Sequence, residues 1–165
     1  MKRSIQIILV MCFCFVLGAQ AQITKIDTYS NRISSLSDDE KKKMDFLFFG
    51  LANRSQINDL ENAITASGPV RVLELNYNDI DKLKDQKHSN SFQKIRVISI
   101  NWEKGKLLDL KEEDLKDFLV LKYILIKGYE SMTKEELKSL FSKLSSSEEI
   151  SDEVEIIYYK MNPAS

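Results

Sequence analysis

Oxygen-bearing side chains cluster midway through the chain, where they could in principle bind a metal ion. They are Asn76, Asn78, Asp79 and Asp81. Oxygen is the ligand atom that Ca²⁺ prefers, but an EF-hand loop would need Gly where the chain has Asp81 and Glu where it has Lys87. We therefore expect no metal site here. The amides suit a turn better, because short amide side chains bond nearby backbone groups.

Catalytic motifs find little support in the sequence. The one histidine, His88, lies in a polar stretch that we expect to be a solvated surface loop, without a positioned partner for general-base catalysis. The chain contains no nucleophile elbow, phosphate loop or histidine-pair metal motif. The acidic runs at 112–114 and 148–149 suit helix starts and solvated loops. We predict a protein that is not an enzyme and holds no cofactor. The alternative is a small exported enzyme of unrecognised type that uses carboxylates.

Binding is the chemistry that the aromatic residues favour. The candidate binding residues are Tyr77, Trp102, Tyr123, Leu125 and Tyr159. We expect them on the outward face of a sheet, where an apolar patch marks an interface and Tyr and Trp are favoured at binding hot spots. Parallel sheets are commonly buried on both faces, so the same face could instead be covered by a helix around residues 44–51. Both interpretations stay open at this point.

Four segments with the same apolar pattern must position these residues. The predicted strands are Val70–Leu75, Ile95–Asn101, Leu121–Ile126 and Val154–Met161. Leu73 and Leu75 share one strand face by the period of two, and Ile98 and Ile124 follow Leu73 at steps of 25 and 26 residues. Ile156 follows 32 residues later, after a polar insertion at 145–153. We expect the four strands to lie parallel and adjacent in chain order.

The segment from Val70 to Ile80 carries a family resemblance. Its pattern, Val70-x-x-Leu73-x-Leu75-x-x-Asn78-x-Ile80, resembles a leucine-rich repeat at every fixed position, and the period of 20–29 residues agrees. The resemblance covers residues 57–161 and is to leucine-rich arrays of exported bacterial proteins. It implies an α/β fold: a short right-handed solenoid with a parallel sheet of about four strands in sequential order. Helices would lie on the return paths, with an N-terminal helical cap.

Three helices are predicted from capping and apolar spacing. Ser37 and Glu40 form a capping-box pattern before a stripe at i, i+3, i+4 and i+7 that runs from Met44 to Leu51. A strand over residues 44–50 is the alternative, since Met44, Phe46 and Phe48 also alternate. A second helix begins near Ile57 and ends at Gly68-Pro69. The third follows the capping box of Thr133 and Glu136.

The first 21 residues match a secretory signal peptide. Lys2 and Arg3 precede an apolar run and a small-x-small exit at residues 19–21. We divide the chain into a signal peptide at 1–21, a polar segment with a cap helix at 22–55, and a leucine-rich-repeat-like domain at 56–165. The predicted location is periplasmic or extracellular, with no membrane insertion after leader removal.

Removal of the leader also changes the composition of the chain. Both cysteines lie within it, so the mature chain would have no disulfide. Of the 24 basic residues the leader removes two, which leaves 22 against 25 acidic residues. That balance argues against nucleic-acid binding, which depends on neutralising phosphates. The expected partner is an unknown protein or an extracellular polymer.

Overall fold

The computed structural model describes residues 25–85, 88–106, 108–141 and 154–163. The predicted leader at 1–21, the acidic pair at 148–149 and the polar insertion at 145–153 lie outside the described residues. Within the described ranges, no helix is both long enough and apolar enough to cross a bilayer.

Six parallel strands form a single sheet with helices packed on it. The strands are β1 (Lys25–Thr28), β2 (Arg54–Gln56), β3 (Val72–Asn76), β4 (Val97–Asn101), β5 (Tyr123–Gly128) and β6 (Glu155–Lys160). Their order across the sheet is β1-β6-β5-β4-β3-β2. The α/β class and the four parallel strands adjacent in chain order are therefore confirmed. The predicted number of strands is wrong, because β1 and β2 extend the sheet at its two edges.

The register of the sheet follows the apolar pattern of the sequence. Leu73 pairs with Ile98, Ile98 with Ile124, and Ile124 with Ile156. Each of these side chains is at most 1% exposed, which confirms that they face a core. A strand that slipped by one residue would turn this whole set to the opposite face, so the burial of one face fixes the register.

Within the described residues, five α-helices accompany the strands. They are α1 (Tyr29–Ser34), α2 (Asp38–Phe48), α3 (Leu60–Ser67), α4 (Ser89–Phe92) and α5 (Lys134–Leu140). 3₁₀ segments lie at Ile57–Asp59, Tyr77–Lys84 and Glu112–Leu115. The capping box before α5 is present, because the Thr133 hydroxyl accepts from the Glu136 amide at 3.2 Å and the Glu136 carboxylate accepts from the Thr133 amide at 2.7 Å. Gly68 ends α3 with a φ of 78°, a left-handed conformation that glycine adopts without strain.

Two apolar cores lie on opposite faces of the sheet. The larger one buries Leu73 and its register partners against residues of α3, α4 and α5, such as Leu60, Phe92 and Leu137. The smaller one packs Met44 and Phe48 of α2 against outward residues of the central strands. These strand residues are Val72, Val97, Leu125 and Ile157. The outward face is therefore covered, and the alternative of an open sheet face is wrong.

The chain crosses the whole sheet between β1 and β2. It leaves β1 at one edge, runs through α1 and α2 over the outward face, and enters the sheet again at the opposite edge as β2. Residues 44–48 are helical, so the strand alternative for this segment is wrong. The helical stripe also ends early. A Cβ on Gly50 would lie 2.8 Å from the Phe46 backbone, so the chain turns tightly there, and Leu51 points into solvent with 95% exposure.

Candidate functional site

Tyr77 and Trp102 follow the ends of strands β3 and β4. Trp102 is 4% exposed, belongs to the larger core and donates its indole N–H to the Lys106 carbonyl at 2.9 Å. Tyr77 packs against the same core, with the Lys106 ammonium 5.3 Å from its ring centroid. These rings therefore lie on the face that we predicted to be the inner one. Strict period-two alternation from Ile98 and Ile100 also places Trp102 on that face, so the outward assignment was wrong.

Tyr123, Leu125 and Tyr159 lie on the face that α2 covers. Leu125 is fully buried, while the two tyrosines are half-buried at the edge of the smaller core. The Tyr123 ring meets Phe48 edge-on at 5.2 Å between centroids. The five candidate binding residues are therefore divided between two faces, and the expectation that they share one exposed surface is wrong. Whether any of them contacts a partner stays a prediction.

His88 is not the solvated residue that we expected. Its side chain is 8% exposed, because residues 88–92 fold back and place its ring 5.9 Å from that of Phe92. Its Nδ1 lies 3.5 Å from the Glu61 carboxylate and makes no hydrogen bond within the part of the chain that the structure describes. The residues around His88 are polar, so the sequence pattern does not indicate that its side chain is buried.

The carboxylates after β3 are paired with nearby lysines. Asp79 accepts a hydrogen bond from Lys82, which holds the pKa of its carboxyl below the usual range, and Asp81 lies 2.8 Å from the Lys84 ammonium. Asn78, the asparagine of the repeat pattern, is exposed. Across the described ranges, no group of three or more His, Cys, Asp or Glu side chains could hold a metal ion.

A groove of about 690 Å³ lies between α2 and the amino-terminal ends of strands β3, β4 and β5. We call it the cationic groove. Its apolar residues are Met44, Phe46, Leu47, Leu51, Ala52, Pro69 and Tyr123. Its cationic residues are Lys42, Lys43, Arg71, Arg96 and Lys122, and Asn53 completes the lining. None of the described lining residues is a carboxylate.

The position of three cations follows from the repeat. Arg71, Arg96 and Lys122 each stand two residues before a register partner of the larger core. Backbone hydrogen bonds hold them side by side, with the Arg96 amide 2.8 Å from the Arg71 carbonyl and the Lys122 amide 2.9 Å from the Arg96 carbonyl. Neighbouring strands lie about 4.8 Å apart, so the three residues form a row along the amino-terminal ends of β3, β4 and β5.

The opposite wall is the last part of α2, and Arg54 fixes where it ends. One guanidinium nitrogen of Arg54 lies 3.3 Å from the carbonyls of Phe48 and Gly50, and the other lies 3.1 Å from the Glu74 carboxylate. A cation at a helix C-terminus satisfies free carbonyls and interacts favourably with the helix dipole. Arg54 therefore anchors the end of α2 against strands β2 and β3, which shapes the groove.

In the described part of the chain, the cations of the groove have no ion-pair partner. Among the described residues, none of its five cations lies within ion-pair distance of a carboxylate. The Arg71 guanidinium donates to the Lys94 backbone carbonyl at 3.3 Å. Burial, and then the charge of Glu155, raises the pKa of the Tyr123 hydroxyl, so this group stays a neutral donor at the edge of the groove. Like charges at this spacing repel one another, and an anionic ligand would relieve that repulsion.

A smaller crevice of about 260 Å³ lies at the carboxyl ends of β1 and β6. Its hydroxyl and amine groups already bond to one another. The Thr28 and Ser30 hydroxyls are 3.2 Å apart, and the Lys160 ammonium lies 2.9 Å from the Ser131 hydroxyl. The groove, with its unpaired cations, is therefore the stronger candidate site.

The sequence offered a signal for the groove that we did not use. The cations at 71, 96 and 122 repeat with the same steps of 25 and 26 residues as the buried strand residues. No repeat in the sequence predicts the position of Lys42 and Lys43. They reach the groove because α2 packs across the face of the sheet. Comparisons of the chain with models of protein families, with curated proteins and with solved structures found no match.

Proposed function

We propose that the chain is an exported, non-catalytic interaction module that binds a partner protein or an extracellular polymer through the cationic groove. The observation that carries the proposal is the set of five cations, unpaired among the described residues, around an apolar floor. Among the described residues, no carboxylate lines the groove or the smaller crevice, which favours binding over an enzyme that uses carboxylates.

A short right-handed solenoid of the leucine-rich-repeat type is part of this proposal. The register supports it, since four successive strands align their equivalent apolar residues without a shift. An amide contact of 3.3 Å between Asn101 and Asn76 also links two successive strands. Crossovers between parallel strands are right-handed in nearly all proteins, which agrees with this geometry.

The covered sheet face explains why we assign binding to the groove. Repeat arrays commonly bind partners on an extended concave surface. Here α2 occupies the outward face of the central strands, so that face is part of the smaller core. The amino-terminal ends of the central strands remain accessible, and Arg96 and Lys122 are exposed there.

The partner should carry negative charge where it meets the groove. Among the residues that the structure describes, no aspartate or glutamate lines this groove. We do not favour nucleic acid, because the mature chain would carry more acidic than basic residues and would repel a phosphate backbone outside the groove.

The test compares capture by three forms of residues 22–165. Wild-type protein is immobilised beside a groove variant, R71E/R96E/K122E, and a control variant, K104E/K116E/K138E, which carries the same change of charge at exposed positions outside the groove. Each form is exposed to envelope and extracellular material. Circular dichroism and thermal melting first establish that all three forms are folded.

We expect the wild type and the control variant to retain the same partner, and the groove variant to lose it. Retention of that partner by the groove variant, or its loss from both variants alike, would show that the groove is not the binding surface. The matched change of net charge makes the comparison specific to the site.

A further inference from the structure

Resting on the function proposed above, we infer that the groove receives an acidic amphipathic peptide segment of a partner protein. The groove combines two requirements that such a segment meets together. Several negative charges on a ligand would neutralise its cations, and apolar side chains of the ligand would bury its apolar residues. Lysine and arginine on two opposing walls fix where the acidic residues of the segment would lie.

The row of cations on the sheet wall matches the spacing of charges along a helix. Arg71, Arg96 and Lys122 belong to adjacent strands, so they repeat at about 4.8 Å. Side chains at i, i+3 and i+4 of a helix lie about 5–6 Å apart. Three acidic residues on one helical face can therefore each meet a cation. A single fatty acid, with one carboxylate, would engage only part of this row.

The opposite wall supplies a second line of charge. Lys42 and Lys43 are exposed on α2 and, among the described residues, have no ion-pair partner. A segment in the groove would lie between these lysines and the row on the sheet wall. Acidic residues on both sides of its apolar face would then be matched, which is the pattern of an amphipathic helix in a groove.

The apolar residues of the groove explain why charge alone is not the requirement. Phe46 is 54% exposed and Leu51 is 95% exposed, although both residues are large and apolar. They stand above a floor in which Met44 is buried. Apolar side chains of a bound segment, such as leucine, would bury Phe46 and Leu51, as the apolar face of a helix buries a groove in helix-in-groove complexes. A polymer with charge alone would leave them in water.

A membrane surface is the main competing occupant, and the shape of the site argues against it. Proteins that lie on membranes insert a protruding apolar face into the lipid. Here cations on α2 and at the ends of the strands flank the apolar residues on two sides, which suits a segment of chain held between two walls better than a flat lipid surface. We therefore treat binding to anionic lipid as an outcome that would contradict the inference.

The experiment uses a fluorescein-labelled synthetic peptide of about 14 residues, which spans about 21 Å as a helix. Leucine occupies one helical face and glutamate flanks it. One control peptide replaces leucine by serine, and another replaces glutamate by glutamine. Fluorescence anisotropy is measured with the folded mature chain at about 0.15 M salt, where exposed charges more than about 8 Å apart are screened.

We expect the acidic amphipathic peptide to bind and both control peptides to bind at least about tenfold more weakly. The R71E/R96E/K122E variant should lose about tenfold or more in affinity, and K104E/K116E/K138E should stay within about twofold. A second groove variant, K42E/K43E, changes only exposed side chains of α2 and should also weaken binding. Its result decides the matter if the first variant fails to fold.

Three outcomes would overturn the inference. The first is peptide affinity that both groove variants leave unchanged. The second is equal binding of the serine control, which would show that charge alone is recognised. The third is the absence of peptide binding together with groove-dependent binding to phosphatidylglycerol vesicles. If peptides fail while a captured partner still depends on the groove, only the inferred class of partner is wrong. If capture is also independent of the groove, the proposed function fails with it.

Discussion

Arg32 of α1 and Glu155 of β6 form a two-pronged ion pair across 123 residues of sequence. The guanidinium Nε lies 2.6 Å from one carboxylate oxygen, and Nη2 lies 2.7 Å from the other. The hydrogen bond to Glu155 raises the pKa of Arg32 above its ordinary value. The pair joins the helix that follows the first strand to the last strand, and so it closes the N-terminal segment onto the sheet.

Removal of one partner of this pair should destabilise the fold. We expect Arg32→Ala to lower the free energy of unfolding by about 2–4 kcal/mol, because a nearly buried carboxylate would be left alone. The loss should fall below that of a fully buried pair, since the two side chains retain 24% and 11% exposure. Urea denaturation measures it. Lys41→Ala, which breaks an exposed pair with Asp38, is the control and should change stability by less than about 0.5 kcal/mol.

The repeat residues of the larger core give a second prediction. Leu73→Ala and Ile98→Ala should each lower the free energy of unfolding by about 2–5 kcal/mol, because both side chains are fully buried and their loss leaves a cavity. Leu119→Ala is a matched control, since Leu119 is 70% exposed, and it should cost less than about 0.5 kcal/mol. Equal effects at the buried and exposed positions would mean that the two faces of the sheet are assigned incorrectly.

The sequence predicted the centre of the sheet better than its edges. Four central strands repeat an apolar pair two residues apart, and this repeated burial produces a clear signal. Strand β2 has only three residues, Arg54–Gln56, and β1 has one buried apolar side chain, Ile26. Short polar strands are common at sheet edges, where exposed backbone groups would otherwise pair with other chains. Because β1 and β2 are short and mostly polar, they carry little of the apolar alternation from which a strand is predicted.

The candidate site was harder to predict than the fold. Period-two alternation assigned Leu125 to the outward face correctly, but the sequence could not show that α2 covers that face. Trp102 was also assigned to the outward face, but it lies two residues beyond the inner residue Ile100, so the same rule places it on the inner face, where the larger core contains it. The groove is lined by segments far apart in the chain, such as those that carry Lys43 and Lys122, and a local sequence pattern carries no information about which distant segments come together.

Trp102 provides an optical test of the core assignment. Its indole is 4% exposed and its N–H is bonded to the Lys106 carbonyl, so acrylamide and iodide should quench its fluorescence weakly in the folded protein. Trp102→Ala should lower the free energy of unfolding by about 3–5 kcal/mol, as truncation of a large buried ring does. The chain has one tryptophan, so the signal has a single source. Efficient quenching with little loss of stability would instead place the ring on an accessible surface.

Tyr29 gives a prediction about pH. Its hydroxyl donates to the Asp45 carboxylate, and its ring packs edge-on against Tyr159 at 5.4 Å. Burial is the main reason that the pKa of Tyr29 rises to about 12, and the hydrogen bond to Asp45 and the charge of that carboxylate raise it further. The unfolded chain releases this proton near pH 10, about two pH units earlier.

The stabilising contribution of Tyr29 should therefore be full below about pH 10 and should be lost as the pH rises towards 12, because the unfolded state then binds fewer protons than the folded state. Urea midpoints of the wild type and Tyr29→Phe at about pH 8.5 and pH 11 measure this loss. We expect the variant to be less stable at the lower pH and the difference to narrow at the higher pH. Other tyrosines and the lysines titrate in both proteins, so their effects cancel in the comparison. A difference that stayed constant across this range would show that the Tyr29 hydroxyl is not held by Asp45 in the folded protein.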